Sequence, residues 1–138
     1  MTDTVRYMAL LEPQPEGGYT VTFPDLPEAI TEGDDIEQAL FNAAEVLSLV
    51  LEQRLADGAP IPSPTQTEGG HWVEPSASVQ AAVLLARARA GHTISELARA
   101  MGTSWPAAQR LMKPGNPTIK QLERAAAALG KRLVLSLE

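Results

Sequence analysis

The sequence contains no cysteine. That excludes disulfides, thiolate zinc sites, iron–sulfur clusters and cysteine nucleophiles together. Aromatic residues make up only 4% of the 138 positions. Tyr7, Tyr19, Phe23, Phe41, Trp72 and Trp105 are too few to build the exposed stacking platform that single-stranded nucleic acid needs. The two histidines, His71 and His92, lie in different halves without ligand spacing, so neither a metal nor a cofactor is expected. No long apolar run occurs either. The run over residues 81–86 is stopped by Arg87, far short of the ~20 residues of a membrane span. Met1 to Thr4 offer neither a basic n-region nor an apolar h-region, so no signal peptide is expected and the chain reads as soluble and cytoplasmic. What is present suffices for a core: 44% of residues are apolar and 20% charged, at a length that suits one domain or two small ones.

Basic residues are scarce in the first half. Residues 1–70 hold 13 acids against Arg6 and Arg54, a balance of 2 − 13 = −11. Residues 71–138 hold four acids and nine bases, a balance of 9 − 4 = +5. The division coincides with residues 59–70, where Pro60, Pro62, Pro64, Gly69 and Gly70 break regular structure, so this stretch is expected to be a loop or linker. Opposite charges on two halves point to two partners, one cationic and one anionic.

The first half reads as α+β. Residues 6–13 and 19–23 have strand patterns joined by a glycine-containing turn, a hairpin arrangement. Residues 28–31 are a short third strand candidate. Asp35 with Gln38 forms a capping box for a helix carrying Ile36, Ala39, Leu40, Ala43, Leu47, Val50 and Leu51 on one stripe, ended at Gly58. Residues 71–74 read as one more strand. The expectation is a three- or four-stranded antiparallel sheet with one helix on a face. The carboxylates of Asp25, Glu28, Asp34 and Asp35 cluster in the sequence, a pattern that could serve two-metal phosphodiester cleavage. Turn and helix-cap roles account for them more simply, and no histidine stands nearby as a general base. No catalytic residue is assigned, and the chain is read as a non-enzyme.

The ordered series Tyr19-x-Val21-x-Phe23-Pro24-Asp25-Leu26-Pro27, then Thr31-x-Gly33-Asp34, then a helix from Ile36, then Ile61-Pro62-x-Pro64, resembles the HicB-type antitoxins over most of residues 5–75. Glu28 stands where a glycine often follows the second proline. The resemblance implies a truncated RNase H-like module that binds and blocks a small basic toxin, HicA, an RNA-cleaving protein. It assigns no individual toxin contact.

The second half is expected to be all-helical. Residues 79–90 form one helix, ended by Gly91. Thr93 and Glu96 box the start of a short helix with Leu97, Ala98 and Met101 buried. Gly102 fits a tight turn. Thr103 or Ser104 caps a helix over 105–112, with Pro106 tolerated in its first turn. Ala108, Leu111 and Met112 then face inward, and Trp105, Gln109 and Arg110 outward. Thr118 and Gln121 box a last helix whose stripe is Ile119, Leu122, Ala126 and Leu129, ended by Gly130. Two short helices across a glycine turn match the helix-turn-helix pattern. The string from Ile94 to Ser104 resembles the Cro/repressor-like family, a match that covers residues 79–130. Carried over by position, Ser104, Trp105, Gln109 and Arg110 face DNA, with Thr93, Lys113 and Asn116 near phosphates. The tail, residues 131–138, alternates Leu133, Leu135 and Leu137 around Val134. It reads as a strand that pairs with a two-fold mate.

The domains expected are residues 1–75 for toxin binding and 76–138 for DNA binding and dimerisation. The function expected is an antitoxin that blocks a HicA-type ribonuclease and autorepresses its operon as a dimer. The alternative is a one-component regulator whose first domain senses a small ligand or another protein.

Overall fold

The computed structural model describes residues 4–138. Met1 to Asp3, on which the leader expectation partly rests, lie outside the described residues. Strand β1 (Tyr7–Pro13) pairs antiparallel with β2 (Tyr19–Thr22), with Leu10 opposite Thr22 and Pro13 opposite Tyr19. The third strand differs from the expected residues 28–31. It is β3 (Ile30–Gly33), with Thr22 opposite Ile30 and Tyr19 opposite Gly33. The reason lies in the preceding turn: the Leu26 amide donates to the Phe23 carbonyl and the Ala29 amide to the Leu26 carbonyl, which buries Leu26 and Ala29 and delays the strand.

Helix α1 (Ile36–Asp57) starts at Asp35, whose side chain accepts from the Gln38 amide at 2.7 Å. Gln38 returns a bond one residue earlier than in a standard box, accepting from the Asp34 amide at 2.6 Å. The helix buries Ala39, Ala43, Leu47 and Leu51 in one core with Tyr7, Val21 and Val73 of the sheet and Phe23 just after β2. The expected stripe was too wide: Ile36 is exposed, and Leu40 and Val50 are only partly covered. Strand β4 (His71–Val73) joins the other side of β1, completing a four-stranded antiparallel sheet in the order β3-β2-β1-β4.

The loop between α1 and β4 is tied to the sheet module by side chains distant in sequence. Asp25 accepts from the Thr65 amide at 2.9 Å and from its hydroxyl at 2.7 Å. The Tyr7 hydroxyl donates to the Pro62 carbonyl. Arg54 makes a bidentate pair with Glu28 at 2.6 and 2.8 Å and donates to the Pro60 carbonyl at 2.9 Å.

Helices α2 (Ala77–Ala88), α3 (Ile94–Met101), α4 (Trp105–Leu111) and α5 (Ile119–Ala128) follow. Val79 and Val83 of α2 belong to the sheet core, whereas Leu85 of the same helix joins a second cluster with Leu97, Ala98, Met101, Ala108, Leu111 and Ala125. The two cores therefore meet on one helix. Arg87 reinforces the junction by donating to the Thr4 carbonyl at 3.2 Å and to the Tyr7 hydroxyl at 3.4 Å. The expected terminal strand over residues 132–137 is not formed. Residues 131–138 carry no regular secondary structure, because a strand needs a ladder partner and the single chain supplies none.

The Glu28–Arg54 pair gives a pH-dependent expectation. The bond from Arg54 holds the Glu28 carboxyl at about 2, well below its ordinary 4.5. A depressed carboxyl contributes stability that is complete above the ordinary value and lost as pH falls through the folded one. Glu28 is half exposed, so screening limits the contribution to about 1 kcal/mol or less. Glu28→Gln should thus be slightly less stable than the parent at pH 7. Urea melts should show the gap closing steadily below about pH 4.5 and vanishing near 2.

Candidate functional site

The second core holds α3 and α4 across a three-residue turn in which only glycine is comfortable. Gly102 has φ +65°, and its amide closes the end of α3 on the Ala98 and Arg99 carbonyls. Ser104 then caps α4, accepting from the Ala107 amide at 3.2 Å, and Pro106 sits in the first turn where its missing donor costs nothing. Arg124 of α5 donates to the Met101 carbonyl at 2.8 Å, satisfying the end of α3 from outside. Thr118 and Gln121 cap α5 reciprocally, at 3.0 and 2.8 Å.

This packing buries Ala108, Leu111 and Met112 and turns the other side of α4 to solvent. Trp105 is 46% exposed, Arg110 is exposed and Gln109 is half-buried. Spacing of four puts Trp105 and Gln109 on one row, with Arg110 on the adjacent one. Arg110, near the end of α4, lines a shallow cleft with Lys113 and Asn116 of the following loop and Gln121 of α5. Six of the seven expected residues (Ser104, Trp105, Gln109, Arg110, Lys113 and Asn116) thus lie on α4, its cap or the loop that follows it.

Thr93 differs. It caps α3 at the far end of that helix, accepting from the Glu96 amide at 3.0 Å while its own hydroxyl donates to the Glu96 carboxylate at 3.2 Å. His92 lies 3.4 Å from the same carboxylate, and its hydrogen bond, followed by those of Thr93, lowers the Glu96 pKa. The α3 N-terminus is therefore already occupied by a carboxylate of this chain, which competes with a phosphate for the same donors. Glu96 was legible only as a cap. Of the basic residues in this half, Arg124 spends one donor on Met101, and Arg89 donates to the His92 carbonyl at 2.9 Å.

Of the four carboxylates that cluster in the sequence at Asp25, Glu28, Asp34 and Asp35, three have separate partners. Asp25 binds Thr65, Glu28 binds Arg54 and Asp35 caps α1. Among the described residues, no three His, Cys, Asp or Glu side chains gather as a metal would require. His71 lies exposed on β4 opposite Ala9. Arg6, just before β1, lies over the Trp72 ring of β4, 4.3 Å from its centroid, a cation–π contact. In the tail, Leu133 is partly covered, while Val134, Leu135 and Leu137 are exposed.

A family model described as HicB_like antitoxin of bacterial toxin-antitoxin system matches residues 6–83. The chain is 37% identical over 137 residues to "Antitoxin HicB 1" of Photorhabdus laumondii subsp. laumondii, a match covering 97% of this chain and 88% of the relative. The chain belongs to the HicB-like antitoxin family. It is also 38% identical over 136 residues to "Antitoxin HicB" of Escherichia coli (strain K12), covering 95% of this chain and 98% of the relative. The family match of this HicB-like antitoxin ends within α2, whereas these two relatives match almost end to end. The residues after α2 therefore fall within these alignments as well. No helix among the described residues is long and apolar enough to cross a membrane.

Proposed function

We propose that this chain neutralises a HicA-type ribonuclease toxin and represses its own operon. The observation that carries the proposal is the joining of two surfaces of opposite charge. Residues 1–70, which make up most of the HicB-like sheet module, balance to −11, and residues 71–138, which include β4, α2 and the helical unit, balance to +5. The acidic module covers the basic RNA-binding face of the toxin, so inhibition is steric and electrostatic and requires no chemistry from the antitoxin. The truncated RNase H-like relationship of this module rests on its motif series. Residues 1–75 are proposed as the toxin-binding unit, completed by α2, because Val79 and Val83 close its core.

The helical unit is proposed as a helix-turn-helix domain with α4 in the major groove. Ser104, Trp105, Gln109 and Arg110 then meet the DNA, Gln109 and Arg110 offering paired donors to base edges. Lys113 and Asn116 reach phosphates from the loop after α4. Thr93 contributes less than its position suggests, because Glu96 holds its hydroxyl. The terminal residues Leu133, Val134, Leu135 and Leu137 are proposed as the homodimer contact.

Co-expression with a HicA-type toxin tests the antitoxin reading. Growth should resume when the full chain is induced, and arrest despite soluble antitoxin overturns the reading. Binding to the operon's own promoter tests the repressor reading. The logarithm of affinity should fall linearly with the logarithm of salt, by about 0.9 per phosphate neutralised. Gln109→Ala should relax sequence preference, whereas Lys113→Ala should weaken all sequences alike. Salt-independent binding, or none, removes the repressor reading.

A further inference from the structure

Helix α1 buries its stripe at intervals of four, and the opposite side carries large apolar residues exposed to solvent. At 100° per residue, Phe41, Glu45, Leu49 and Glu52 fall in a narrow arc opposite Ala39, Ala43, Leu47 and Leu51. An amphipathic helix places polar groups at that pole. Here Phe41 is 64% and Leu49 66% exposed, two of the most exposed large apolar side chains in the sheet module. They stand eight residues apart, roughly 12 Å along the axis, with Glu45 between them on the same row. Arg54, the one base of this helix, is drawn to the other side by Glu28.

We infer that this outward face of α1 is the surface that receives the cationic toxin, Phe41 and Leu49 seating in apolar recesses and Glu45 and Glu52 meeting its lysines or arginines. The inference rests on the antitoxin reading and names its contact surface. Charge decides the occupant. Nucleic acid is repelled by the glutamates, and a second copy would set the same acids against each other. A cationic protein answers both the acids and the apolar pair. Aromatic and aliphatic anchors at the centre of an interface carry most of its energy, and charges around them steer the approach.

The test uses the full chain and a purified HicA-type toxin that the chain neutralises on co-expression, with affinity and rates read by surface plasmon resonance. Phe41→Ala with Leu49→Ala, and separately Glu45→Lys with Glu52→Lys, change only exposed positions and should melt with the parent. Each pair should weaken binding by about 30-fold or more. The apolar pair should act through faster dissociation and the charge pair through slower, more salt-sensitive association. Glu68→Lys, on the exposed loop before β4, should stay within about threefold of the parent. Parent-like affinity in both pairs overturns the assignment while leaving the antitoxin reading intact. No binding by the parent overturns both. Dissociation of the protein's own oligomer by the apolar pair places a second copy on this face and likewise overturns the inference.

Discussion

Removing residues 132–138 should yield a folded monomer whose operator affinity is lower by about 100-fold or more, with toxin binding retained. The fold needs nothing from this segment. Helix α5 is already closed at its end, where the Leu129 amide reaches the Ala125 and Ala126 carbonyls and the Lys131 amide reaches Ala126. Beyond it Val134 is 60%, Leu135 68% and Leu137 103% exposed. An extended apolar segment with unpaired backbone is costly in isolation, and pairing with its two-fold copy satisfies both ladders at once. The dimer and operator proposed above require the two α4 helices to read grooves one DNA turn apart, about 34–36 Å, so that the second half-site binds intramolecularly. Truncation forfeits that linkage and touches neither α1 nor the sheet. Light scattering reads the mass and fluorescence anisotropy reads the operator affinity. A truncated protein that remains dimeric moves the interface to the helices or to the first half.

Local chemistry was legible in the sequence, and contacts between distant residues were not. The caps at Asp35, Thr93, Ser104 and Thr118, and the left-handed glycines Gly58 and Gly102, stand where propensity and spacing place them. Each depends on residues within one helical turn. The third strand began two residues late because the turn through Leu26 and Ala29 is fixed by burial, which composition does not display. Asp25 and Glu28 looked like a turn pair or a metal pair. Their partners, Thr65 and Arg54, lie 40 and 26 positions away. In the candidate DNA surface, α4 and the loop after it were readable from the glycine turn and the proline positions. The competition of Glu96 for Thr93 follows from the same capping box that defined α3, so that box marks a satisfied helix end as well as a start. Phe41 and Leu49 carried a signal that was available: two large apolar residues off the buried stripe of a capped helix.

Gly33→Ala should be the most damaging single substitution in the sheet module, costing about 3 kcal/mol or more and lowering the melting temperature by roughly 10 °C. Gly33 ends β3 opposite Tyr19, and only Asp34 and Asp35 separate it from the first turn of α1. That turn lies directly on it: a Cβ at residue 33 would stand 2.4 Å from the Ala39 nitrogen and 2.5 Å from its Cα. These are backbone atoms, so no side-chain rotation relieves the clash. The helix cannot lift without loss, because its start is clamped by the Asp34 amide on Gln38 at 2.6 Å and by Asn42 on the Glu32 carbonyl at 2.8 Å. Ala39 and Ala43 below are fully buried, so displacement also opens the core. Gly115→Ala supplies the control: its site has open space and requires no left-handed backbone, so the change should stay within about 0.5 kcal/mol. Thermal melts by circular dichroism compare the two. Because Phe41 stands on the first turns of α1, next to the residues that rest on Gly33, the Gly33 variant should also lose affinity for the proposed toxin, while the operator contacts proposed for the second core persist. A Gly33→Ala protein that melts with the parent would mean that α1 seats farther from β3 than these distances place it.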